Sequence, residues 1–88
     1  MARNNRSDAE YEIGGLSKGT KVVEALEGRP VTIETVIERT GFSYDVTMRV
    51  LRTLRLNGWA TDTPDGKWTI GRRLIRFAGS VTRSHGEV

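Results

Sequence analysis

Residues 31–71 read VTIETVIERTGFSYDVTMRVLRTLRLNGWATDTPDGKWTIG, and the order of patterns within this stretch decides the fold. Ile33, Val36 and Ile37 stand at i, i+3 and i+4, the spacing of one buried helical stripe, and Thr32 precedes them as an N-cap. Their β-branching favours a strand, but strict alternation is absent and Glu34 and Glu38 share one face, so a helix to about Thr40 is predicted. Gly41 supplies a left-handed stop. Phe42 sits where an apolar residue can staple the next helix, and Ser43 is its cap. From Tyr44 to Asn57, Val46, Thr47, Val50, Leu51 and Leu54 fall on one arc and Tyr44, Asp45, Met48, Arg49, Arg52 and Arg55 on the other. Trp59–Thr63 and Lys67–Ile70 then flank Pro64-Asp65-Gly66, a hairpin with turn chemistry at its tip. Helix, tight turn, helix and hairpin in that order predict a mainly α fold with a small β-hairpin, the winged helix-turn-helix.

Upstream, Ser17 is a candidate cap for a first helix that buries Val22, Val23 and Leu26 and stops at Gly28. Downstream, Leu74, Ile75 and Phe77 interleave with Arg72, Arg73 and Arg76, which suggests a short amphipathic helix over 72–78. Residues 1–15 are polar, aperiodic and end in Gly14-Gly15, and are expected to be a flexible arm. Within it, Arg3 and Arg6 could reach a minor groove, although a tail without a role is the commoner outcome. Residues 16–79 form the expected domain, with 80–88 as a flexible polar tail.

Composition removes several classes of function. The 88 residues suffice for one small domain, and 36% hydrophobic content builds a modest core rather than a walled catalytic cleft. With no cysteine there is no disulfide or thiolate chemistry, and the single His85 offers neither a metal cluster nor a triad. Carboxylates at Glu24, Glu27, Glu34, Glu38 and Asp62 show no paired acid/base spacing, and Gly14-Gly15 lacks the strand and the Lys-Ser/Thr of a phosphate loop. An enzyme is not expected, and no cofactor or metal is implied. No apolar run approaches the roughly 18–20 residues of a membrane span, and the polar N-terminus is no signal peptide, so a cytoplasmic protein at the nucleoid is expected.

Net charge is +3, but its distribution is lopsided. Residues 1–48 hold six Lys/Arg against eight Asp/Glu, whereas residues 49–83 hold eight (Arg49, Arg52, Arg55, Lys67, Arg72, Arg73, Arg76 and Arg83) against Asp62 and Asp65. Such asymmetry steers polyanions toward one face. A solvated surface is the bland explanation, yet the outer arc of the second helix sets one acid against three cations, where an ordinary surface helix mixes signs. Double-stranded DNA is therefore the expected partner. Ser43, Tyr44, Asp45, Thr47, Met48, Arg49 and Arg52 are candidate major-groove contacts, because the N-terminal turns of a reading helix approach base edges and an arginine fork grips guanine O6 and N7. Asp45 could accept from cytosine N4 or orient Arg49. Arg55 lies further along and suits a phosphate, and Gly66 and Lys67 at the wing tip suit phosphate or minor groove. Trp59 and Trp68 are expected to anchor the hairpin on the helices rather than stack on bases.

With these residues identified, the chain resembles the N-terminal winged-helix domain of the IclR family of bacterial transcription regulators over about Leu16 to Gly79. Ser17–Leu26 is similar to that family's opening helix, Val31–Gly41 to its second, and Ser43–Gly58 to its reading helix, with Arg49, Leu51 and Leu54 in place. Most distinctive is Asp65-Gly66-Lys67-Trp68-Thr69-Ile70-Gly71-Arg72-Arg73-Leu74, which resembles the wing and the start of the linker helix. Val46-Thr47 departs from the family by reversing a polar-then-apolar order. The resemblance implies a sequence-specific regulator, such as a repressor or a control protein of a phage or mobile element. A two-fold site and a homodimer are expected, with Leu74, Ile75 and Phe77 as a possible seam. The family's effector domain would begin where this chain stops, so no small-molecule effector is evident. The chain is then either an excised domain or a stand-alone regulator, and Met1 with an untagged polar tail favours the second. Two other readings remain: an architectural or recombination accessory protein that bends DNA, and a winged helix that binds a protein instead.

Overall fold

The computed structural model describes residues 7–85, the last four as backbone. After a short 3-10 turn at Asp8–Tyr11, helices α1 (Gly14–Ala25), α2 (Ile33–Thr40) and α3 (Tyr44–Leu56) lead into strands β1 (Ala60–Asp62) and β2 (Trp68–Ile70). Helix α4 (Arg72–His85) follows. The strands pair antiparallel with Ala60 opposite Ile70, Thr61 opposite Thr69 and Asp62 opposite Trp68. This is the winged helix-turn-helix.

The caps read from sequence for the second and third helices form. The Thr32 side chain accepts from the Thr35 amide and opens α2, and the Ser43 side chain accepts from the Val46 amide and opens α3. Gly41 ends α2 at φ 78°, a left-handed angle that glycine adopts without the Cβ penalty other residues incur. At the hairpin tip the Gly66 amide donates to the Thr63 carbonyl at 2.9 Å, and the Thr63 amide to the Lys67 carbonyl at 2.8 Å. That pattern is a three-residue loop whose last residue, Gly66, is left-handed.

Every layer contributes to the core. Val22, Ala25 and Leu26 come from α1 and its end, Val36 from α2, Leu51 from α3, and Ala60 and Trp68 from the hairpin. Trp68 adds a third edge to the ribbon: its amide donates to the Val31 carbonyl at 2.7 Å and receives the Val31 amide on its own carbonyl at 2.9 Å. The approach to α2 is thereby stitched to the wing.

Three expectations are corrected. Helix α1 starts at Gly14 rather than beyond Ser17, with Ile13 at the N-cap position and no side-chain cap, and the segment before it contains a 3-10 turn. Gly14-Gly15 reads as a breaker by propensity, yet the buried faces of Val22 and Ala25 hold the helix, and propensity is the weaker term. Helix α4 runs to His85, well past the Ala78 boundary and into the segment expected as a tail. Its apolar residues Leu74, Phe77, Ala78 and Val81 continue at i, i+3, i+4 and i+7, so the helical stripe outlasts Gly79. Trp59 precedes β1 instead of lying in it, and its ring stays partly exposed. The Arg3 and Arg6 expectation lies outside the described residues.

Gly71 joins β2 to α4 and is buried. A Cβ there would stand 2.4 Å from the Gly58 carbonyl oxygen and 2.7 Å from the Ala60 nitrogen, so only glycine fits. Gly71→Ala is expected to cost about 2–3 kcal/mol by overpacking against backbone that cannot move aside. Urea denaturation of the two proteins checks this through the difference in midpoint.

Candidate nucleic-acid interface

The turn between α2 and α3 aims the second helix. The Thr40 hydroxyl donates to the Val36 carbonyl at 2.9 Å and accepts from the Phe42 amide at 3.2 Å. Half-buried Phe42 packs on the core, and the cap at Ser43 then fixes where the helix begins. Helix α3 buries Thr47 and Leu51 and turns its other side outward. Ser43, Tyr44, Asp45, Arg49 and Arg52 are exposed there, with Met48 half-buried among them. An open depression of about 560 Å³ runs along this face from Tyr44 and Asp45 to Leu56.

Electrostatically this face is cationic and unsatisfied. Among the described residues Asp45 makes no ion pair with Arg49, so the carboxylate does not orient that arginine in the free protein. Among the described residues Arg49 and Arg52 are likewise in no ion pair. Arg55 behaves differently: its Nη1 donates to Asp62 Oδ1 at 3.1 Å, and its guanidinium carbon lies 5.2 Å from the centre of the Trp68 ring.

The wing tip is more balanced in charge than sequence suggested. Lys67 Nζ stands 3.9 Å from Asp65 Oδ2. The Thr63 hydroxyl donates to Asp65 Oδ1 and accepts from the Lys67 amide at 3.0 Å. That hydroxyl bond is the main reason the Asp65 carboxyl is held below its ordinary value; desolvation opposes it, and the Asp65 amide and Lys67 assist to a lesser degree. A depressed carboxyl contributes stability above its unfolded value and loses it only as pH falls through the folded one, so the contribution of Asp65 is present at neutral pH and lost in acid.

Thr47 is the residue the structure removes from the contact set. It is 0% exposed, one helical turn from Leu51 on the same inward face, and cannot meet a base edge. Its placement among both the core arc and the contacts was a conflict that burial decides for the core. Two residues were missed. Asp62 pairs with Arg55, and the signal was available, since the hairpin register sets it opposite Trp68. Leu56 is 85% exposed at the end of α3, one turn beyond Arg52, where an apolar residue departs from the helix's own pattern. On the other side of α3 an open groove of about 760 Å³ runs along α1, lined mainly by apolar groups of Leu16, Val23, Val46, Val50, Leu54 and Trp59.

Comparison with known proteins places this geometry. The family model described as the DprA winged helix domain matches residues 17–66. The chain belongs to that family. Solved regulators share the winged-helix fold. A crystal structure of an IclR transcriptional regulator from Alicyclobacillus acidocaldarius superposes with a TM-score of 0.74 at 24% identity, over 82% of this chain and 30% of that one. For HmgR of Pseudomonas aeruginosa the TM-score is 0.75 at 20% identity, over 82% and 32%. At these identities the likeness is one of fold. In sequence, the p-hydroxybenzoate hydroxylase transcriptional activator of Acinetobacter baylyi is 34% identical over 77 residues, which is 85% of this chain and 28% of the activator. This winged-helix chain therefore spans about three tenths of the length of the relatives it matches.

The buried Thr47 hydroxyl has no hydrogen-bond partner. Thr47→Val keeps the shape and removes the orphaned polar atom, and is expected to stabilise the protein by about 1 kcal/mol. A higher urea midpoint with unchanged DNA affinity is the expected result. A loss of affinity would return Thr47 to the interface.

Proposed function

We propose that this chain is the DNA-binding module of a transcription regulator that reads double-stranded DNA in a sequence-specific manner. The observation that carries the reading is the pair of exposed arginines, Arg49 and Arg52, without an ion-pair partner among the described residues, on the outward face of the helix that follows the Gly41 turn. In this reading α3 lies in the major groove. Ser43, Tyr44, Asp45, Met48, Arg49 and Arg52 face base edges and the nearest phosphates, with Arg49 and Arg52 offering forks to guanine and Asp45 an acceptor to cytosine N4. Gly66 lets the wing backbone approach closely, and Lys67 supplies its charge. The relative named as a transcriptional activator supports regulation as the purpose of binding.

A homodimer on a two-fold site belongs to the same proposal, since one module of this size makes few base contacts. Ile75, Phe77 and Val81 are exposed on α4, and Leu74 is half-buried beside them, an apolar stripe suited to a second copy. The work of the module is carried out in the cytoplasm, and among the described residues no helix is long and apolar enough to cross a membrane.

Selection of bound duplexes from a random pool, followed by anisotropy titration, tests the reading. Arg49→Ala is expected to relax preference at one base pair by about 1–3 kcal/mol, with other positions unchanged. Lys67→Ala should weaken cognate and scrambled duplexes alike and lower the slope of log affinity against log salt by about 0.9. Wild-type protein that retains no duplex at low salt would overturn the proposal.

A further inference from the structure

Successive arginines at three-residue intervals do not form a straight comb. Each step of three residues turns back by about 60° on a helix of 3.6 residues per turn, so Arg55 lies about 120° around α3 from Arg49 and about 9 Å along it. That displacement carries Arg55 off the outward face to the edge beside Leu51, where the hairpin packs. There its side chain bridges two elements: Nη1 donates to Asp62 on β1 at 3.1 Å, and the guanidinium lies over the Trp68 ring of β2 at 5.2 Å. Among the described residues it makes the one side-chain hydrogen bond that joins α3 to the hairpin strands. Trp68 beneath it is 6% exposed and bonded through its backbone to Val31, so the floor of this contact is rigid.

We propose that Arg55 is a positioning residue rather than a phosphate contact, and that with Asp62 and Trp68 it sets the angle at which the wing leaves the reading helix. The inference rests on the DNA-binding reading above. Both members of the pair are about half exposed, at 44% and 46% of their side-chain surface, and an exposed pair adds little to folding stability. Its effect is geometric. The guanidinium is planar and can satisfy a carboxylate at its edge while its face lies on an indole, which an ammonium cannot do. Holding Asp62 and Trp68 together fixes the root of the hairpin, and the rigid Thr63–Asp65–Lys67 tip carries that angle out to the DNA. The spacing between the groove entered by α3 and the phosphates met by the wing follows from it.

The two roles predict opposite signs for one substitution. If Arg55 grips a phosphate, Asp62 competes with the DNA for it, and Asp62→Asn should tighten binding. If Arg55 positions the wing, Asp62→Asn should weaken it. Anisotropy titration of the whole chain with a selected duplex across a salt series, on wild type, Arg55→Ala, Asp62→Asn and the double variant, separates them. The expected result is a loss of about fivefold for each single variant, the scale of one coupled exposed pair, with no further loss in the double. The salt slope should stay at the wild-type value, unlike that of Lys67→Ala, and hydroxyl-radical footprints should lose protection under the wing while retaining it under α3. Circular dichroism melts confirm that each variant is folded. A fall of about 0.9 in the salt slope for Arg55→Ala, or unchanged or tighter binding by Asp62→Asn, overturns the assignment. Absence of binding by the wild type would instead count against the DNA-binding reading itself.

Discussion

Trp68 is the point on which the rest of the structure depends. Its indole is buried among residues from α1, α2 and α3, while its backbone amide and carbonyl both bond to Val31, outside the hairpin. A two-stranded ribbon of three-residue strands is marginal in water by itself. Here the buried ring and the extra bridge convert it into a third layer, and the wing inherits a fixed root. Because Val31 immediately precedes the cap of α2, the same bridge sets the start of the first helix of the helix-turn-helix pair.

The central part of the fold was legible in the sequence because its signals are local. Thr32 and Ser43 are hydroxyl caps, Gly41 is a left-handed stop, and Pro64-Asp65-Gly66 is a turn, and each acts within a few residues. The ends were not legible for the converse reason. Helix α1 begins at an uncapped pair of glycines that local preference argues against, and the burial of Val22 and Ala25 two to three turns later decides the matter. Helix α4 runs through Gly79 and a polar segment where composition alone suggests a tail.

For the candidate interface, sequence periodicity sorted inside from outside but did not sort one outer position from another. Arg49, Arg52 and Arg55 share the polar arc, and only the hairpin's placement separates two arginines left to solvent from a third engaged by Asp62 and Trp68. Thr47 is the mirror case. Its place in the N-terminal turns recommends it for a contact and helical phase for the core, and its complete burial leaves no route for its hydroxyl to water. Lys67 likewise carries less free charge than its position suggests, since Asp65 beside it is held ionised by Thr63.

The junction at Gly71 looks in sequence like a swivel, a lone glycine between a strand and a helix. In the fold it is a weld. The Gly71 amide bonds to the Trp59 carbonyl at 2.9 Å and the Arg73 amide to the Gly58 carbonyl at 3.0 Å, across a gap too narrow for a methyl group. The turn that ends α3 is therefore also the seat of α4. Torque applied along α4 is thereby passed to the C-terminal end of α3, and re-aiming α4 requires those two bonds to break.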